Sequence, residues 1–86
     1  MECKPKNILV SVYRAGKPLY LISLLNCYGV WRVCLQNQHI QMCGETAKPD
    51  EVLMSILPAR AVMYYTDDCT PGEKRIQIED LLAALR

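Results

Sequence analysis

Three patterns in the sequence predict an α+β fold. The first half carries short β-branched runs broken by turn residues. Two later stretches show helical spacing of Leu, Ile and Val behind acids or a proline. The apolar runs are all short, the longest being the eight residues Pro18 to Leu25, which include Ser23, against the roughly 20 a membrane helix needs. The expected architecture is α+β: an antiparallel sheet of four to six strands, with two hairpins in the first half and two short helices packed on one face. The 86 residues are enough for one domain, 1–86.

Asn7 to Tyr13 (N-I-L-V-S-V-Y) reads as a strand. Arg14-Ala15-Gly16-Lys17 supplies a glycine where a tight reversal needs positive φ. Leu19 to Leu25 then returns as the second strand; a short helix over residues 18–26 is the rival reading, because Pro18 suits a helix start and Leu is a strong helix former. Asn26-Cys27-Tyr28-Gly29 breaks the chain again.

The second hairpin has the clearest pattern. With Asn37-Gln38 as the turn, Trp31 faces Gly44, Val33 faces Met42 and Leu35 faces Ile40, all on one side. Arg32 with Cys43, Cys34 with Gln41 and Gln36 with His39 fall on the other. A slip of one residue would scramble that separation. Asn-Gln lacks the glycine of a good two-residue turn, so a longer loop is the alternative.

Lys48-Pro49-Asp50-Glu51 opens the first helix, with Pro at an early position and acids in the first turn. Val52, Leu53, Ile56 and Leu57 form its apolar stripe and Pro58 ends it. Ala59 to Tyr65 reads as a strand, residues 66–72 as a reversal, and Lys74 to Ile78 as a short partner strand. Thr70-Pro71-Gly72-Glu73 also fits a capping box, so residues 71–78 are strand or helix. Glu79 to Leu85 is helical, with Leu81, Leu82 and Leu85 on one face.

Composition narrows function mainly by exclusion. The formal net charge is +1, so no strong field points to a nucleic acid or a membrane. Residues 1–43 carry net +4 and residues 44–86 net −3. Acids gathering at helix starts explain this polarity; a basic strand face is the sharper reading. The Lys4 and Lys6 start is too polar to continue as a signal peptide. The five cysteines (Cys3, Cys27, Cys34, Cys43, Cys69) are odd in number and include no C-x-x-C. The simplest reading is free, mostly buried thiols in the reducing cytoplasm.

Phosphate-cradling, nucleophile-elbow and zinc-helix motifs are absent from the sequence. His39 with Cys34 and Cys43 is the one conceivable metal or thiol cluster, and it reads better as an exposed turn histidine beside half-buried cysteines. Asp67-Asp68 with Glu73 reads as a turn whose carboxylates cap backbone N–H groups rather than as a cation site. No catalytic residue, metal or cofactor is expected, and the protein is not expected to be an enzyme.

What remains is protein binding. The hydrophobic share is 51%, more than so small a core must hide, and edge strands offer a route to a homodimer. The expected function is a small cytoplasmic protein-binding module that modulates or inhibits a larger partner; an inhibitor from a virus or mobile element is one instance of that class. The expected contact residues are Arg32, Gln36, His39 and Gln41 on the polar side of the second hairpin, with Tyr28 and Arg14 nearby. The alternative is a nucleic-acid-binding accessory protein using the basic first half, where Tyr13, Tyr20, Tyr28 and Trp31 are interleaved.

Overall fold

A computed structural model describes residues 3–86; Met1 and Glu2, where the reading of the start as no signal peptide begins, lie outside the described residues. The elements run β1 (Asn7–Arg14), β2 (Lys17–Cys27), β3 (Val30–Gln36), β4 (Gln41–Thr46), α1 (Pro49–Ile56), β5 (Val62–Asp67), β6 (Lys74–Ile76) and α2 (Ile78–Ala84). They form one six-stranded antiparallel sheet, ordered β4-β3-β2-β1-β5-β6, with two helices.

Residues 18–26 are strand, not helix. The eleven residues of β2 lie between β1 and β3, and Leu21 to Leu25 pair on both sides; two-sided pairing of a Leu-rich segment outweighs its helix propensity. The turns at either end of β2 are alike. Ala15 and Gly16 have φ of +53° and +76°, and Tyr28 and Gly29 have +54° and +85°. Each pair links directly opposed residues, Arg14 with Lys17 and Cys27 with Val30. Two successive positive φ values make the reversal whose twist matches the strands it joins.

The second hairpin forms, but in a register two residues away from the expected one. Trp31 faces Thr46, Val33 faces Gly44, Leu35 faces Met42, Arg32 faces Glu45 and Cys34 faces Cys43. The loop holds four residues, 37–40, because the Asn37 side chain closes it. Asn37 Oδ1 accepts from the His39 N–H at 2.8 Å and the Ile40 N–H at 2.9 Å, an Asx turn that needs no glycine. A shift of two preserves the side each residue faces, so Trp31 and Val33 are buried and Arg32 is exposed as the pattern required.

Both helices lie on one face. Leu53 of α1 and Leu81 and Leu85 at α2 join Ile8, Val10, Val12, Ile22, Leu24, Trp31, Val33, Met63, Tyr65 and Ile76 in a single core. The Tyr20 hydroxyl donates to the Ile56 carbonyl at 2.7 Å, satisfying an orphan acceptor in the last turn of α1. The strand expected over 59–65 starts later, at Val62, and runs to Asp67. Residues 74–76 pair with β5, burying Ile76 opposite Met63; this burial outweighs the capping box, and α2 starts only at Ile78.

The expectation of free thiols is overturned. Cys3 is bonded to Cys69 and Cys34 to Cys43, leaving Cys27 free and exposed. Register accounts for the second bridge: the two-residue shift puts Cys34 directly opposite Cys43, with Cα atoms 4.1 Å apart. The first bridge forms where the chain start is already tied to the end of β5. The backbone N–H groups of Lys6 and Asn7 donate to Asp68 Oδ1 at 3.1 and 3.4 Å, and the Asp68 N–H donates to the Asn7 carbonyl at 3.2 Å. Among the described residues, no helix is long and apolar enough to cross a membrane.

Candidate protein interface

Strand alternation sends odd-numbered residues of β1 and β2 to the sheet face opposite the core, apart from the bulge near Val12. On β3 and β5 the even-numbered partners follow from the same register: Leu25 faces Arg32, Ser23 faces Cys34, and Ser11 faces Tyr64. No described helix contributes its buried side chains to this second face. It carries Leu9, Leu25, Val30 and Tyr64, each between a third and two fifths exposed. Tyr13 and Tyr64 pack edge to face with centroids 5.6 Å apart, a favoured aromatic geometry.

The six residues expected at the interface do not form one cluster. Tyr28 and Arg32 lie toward the β2–β3 turn, with Leu25 and Val30 beside them in the register. Gln36, Gln41 and His39 lie at the opposite end, where Gln36 faces Gln41. There Tyr13, Pro18, Tyr20, Gln36 and His39 line an open groove of about 590 Å³. Arg14 sits in the β1–β2 turn, paired with Lys17, and is separated from β3 by β2. The polar side of one hairpin therefore spans both ends of the sheet.

Tyr28 stands out for backbone and exposure together. It is fully exposed, at 106%, on a left-handed backbone. A bulky L-residue in that region costs roughly 1–2 kcal/mol, and no local packing offsets the strain. Its neighbour Asn26 stabilises the turn, its Oδ1 accepting the Gly29 N–H at 3.0 Å. The sequence signal was Tyr-Gly where Asn-Gly is the favoured pair.

The aromatics expected to form a stacking sheet are divided between surfaces. Trp31 is buried, Tyr20 reaches α1, Tyr13 lies on the uncovered face and Tyr28 is in a turn. The basic residues of the first half are also dispersed, with Arg14 and Lys17 in one turn and Arg32 two strands away.

The carboxylates at the end of β5 hold the loop. Asp67 Oδ1 accepts the N–H groups of Cys69 and Thr70 at 2.9 and 2.8 Å, and Tyr65 donates its hydroxyl to Asp67 Oδ2. Burial alone would raise the Asp67 pKa; hydrogen bonds from Tyr65, Thr70 and Cys69 and the charge of Lys74 outweigh it and hold the carboxyl below its ordinary value. Burial, followed by that hydrogen bond and the negative charges of Asp67 and Asp68, pushes the Tyr65 phenol well above its usual range. No group of three or more His, Cys, Asp or Glu able to hold a metal occurs among the described residues.

A second apolar surface lies at the other side of the sheet. Beside strand β4, Val33, Leu35, Met42, Gly44, Val52 and Ile56 line a groove of about 430 Å³. Its rim includes Met42, which is 63% exposed. Composition did not reveal it, because these residues come together only once α1 packs near β3. No protein-family model, curated protein or solved structure matches this chain.

Proposed function

We propose that the protein is a protein-binding module that modulates a larger partner, which it docks through the β2–β3 turn and the adjoining uncovered sheet face. The observation carrying this reading is Tyr28, fully exposed on strained backbone beside half-exposed Leu25 and Val30 and exposed Arg32. A bulky side chain held on left-handed backbone without packing on its own chain is a reason to look for function, and Tyr and Arg are frequent interface anchors. Binding, not catalysis, is the role these residues suit: they offer a convex turn and a sheet surface, with no convergent polar groups. The two bridges favour an oxidising compartment over the cytoplasm expected from the thiol reading.

Two substitutions separate function from stability. Tyr28→Asn should raise the melting temperature, because Asn tolerates the left-handed region, while weakening capture of the partner from host material. Arg32→Gln should also weaken capture and leave melting unchanged; Gln is preferable to Glu there, since Glu would oppose Glu45 across the strand pair. If both variants capture the same protein as fully as the wild type, this surface is not the interface.

A further inference from the structure

We propose that β4 is the contact strand of a symmetric dimer, pairing antiparallel with β4 of a second copy about Cys43 to make one continuous twelve-stranded sheet. Strand β4 is an edge of the sheet. The Asn37 N–H donates to the Ile40 carbonyl at 2.9 Å. In an antiparallel pair, opposed residues alternate between bonded and non-bonded. Met42 and Gly44 therefore bond to β3, and Gln41, Cys43 and Glu45 turn their N–H and C=O groups outward. The short Cα separation of the opposed pair Cys34 and Cys43, 4.1 Å, is that of a non-bonded pair and fits this assignment. Edges are commonly protected by brevity, lysine or proline. The opposite edge, β6, has only three residues including Lys74 and Arg75, whereas β4 has six and contains none of those residue types.

The register selects a second copy as the occupant. Centring the two-fold on Cys43 sets Gln41 against Glu45 of the second copy, an amide against a carboxylate, with no like charges opposed. The same register sets Met42 against Gly44. A Cβ built at Gly44 would meet nothing within 4 Å, so there is a notch on the groove side of the strand for the exposed Met42 side chain. Centring on Glu45 would oppose two carboxylates, which is unfavourable. Centring on Met42 would oppose two methionines, and centring on Gly44 would leave the notch empty. In the Cys43 register, Val52 and Ile56 of each copy's groove are closed over by the other copy's Met42.

Light scattering at about 100 μM should give twice the 9.8 kDa chain mass, a concentration well above the range expected of a specific interface. Gly44→Leu should return the mass to that of one chain, with circular dichroism unchanged, because the Cβ enters open space, and with a melting temperature that no longer rises with concentration. Glu45→Pro should do the same, since it removes an N–H that bonds to nothing within the chain. Amide exchange gives a readout independent of any variant: the N–H groups of Gln41, Cys43 and Glu45 should be protected at high concentration and lose protection on dilution. A monomeric wild type, a dimer that survives both substitutions, or outward amides unprotected in the dimer would each overturn the proposal.

Discussion

Removing the Cys3–Cys69 bridge tests how this small fold is held together. The bridge spans 66 positions of sequence, and constraining a loop of that length removes roughly 15 cal/mol/K of chain entropy from the unfolded state, about 4.3 kcal/mol at 25 °C. The Cys34–Cys43 bridge spans 9, and the same relation gives about 2.6 kcal/mol. Both predictions concern the unfolded chain, because the native contacts near Cys3 survive without the bond: Asp68 still accepts from Lys6 and Asn7. The assay is urea unfolding of Cys3→Ser/Cys69→Ser and Cys34→Ser/Cys43→Ser against the wild type. The long-span pair should lose more stability by about 1.7 kcal/mol. Its m-value should also rise, since the uncrosslinked chain exposes more surface when unfolded. For a domain of this size, the full loss corresponds to roughly 17–34 °C in melting temperature. A long-span variant that loses less than the hairpin variant would refute the entropic reasoning.

Other perturbations follow from the core, the turns and the titrating groups. Leu53 is fully buried on α1, so Leu53→Ala should cost about 2–5 kcal/mol in chemical denaturation. Ala15 has φ of +53°, so Ala15→Asn should stabilise by about 0.5 kcal/mol, measured by the same method. The Asp67 pKa is lowered in the folded state; its contribution is present above the unfolded value of about 3.9 and is lost as pH falls through the folded value. The acid limb of a stability-against-pH curve should therefore flatten in Asp67→Asn. The Tyr65 pKa is raised; its contribution is complete below about pH 10 and is lost as pH rises beyond it. Tyr65→Phe should shrink the alkaline loss.

The fold was legible in the sequence wherever side-chain alternation and local signals agreed. The Pro49-Asp50-Glu51 start gave α1 its first residue, and the 52, 53, 56, 57 stripe ran one residue past its end, since α1 spans Pro49–Ile56 with Leu57 as an extended cap. The carboxylates of Asp67 and Asp68 cap backbone N–H groups as the turn reading required. Alternation specifies which face a residue takes but is blind to shifts of two, and so the hairpin faces were right while the register was not. That same blindness hid the Cys34–Cys43 bridge, because the assumed register set Cys34 against Gln41. The Cys3–Cys69 bridge depends on β1 lying beside β5, a long-range pairing that no local pattern encodes. The interface residues scattered for a related reason: sharing one side of a hairpin does not bring residues to the same end of it.

The two apolar surfaces follow from the same shortage of material. Eight elements among the described residues leave two short helices for six strands, enough to cover one face of the sheet and not the other. A chain this size buries only about 60–65% of its unfolded surface, and cross-links raise stability without requiring further apolar burial. With the bridges carrying part of the stability, Leu9, Leu25, Val30 and Met42 can remain exposed without the fold depending on covering them. That division explains why the strained Tyr28 turn is tolerable: its cost falls on a molecule whose unfolded state is already restricted by two covalent loops. Removing the long-span bridge should therefore sharpen the benefit of Tyr28→Asn to folding yield at 37 °C, because the same increment then acts on a smaller total stability.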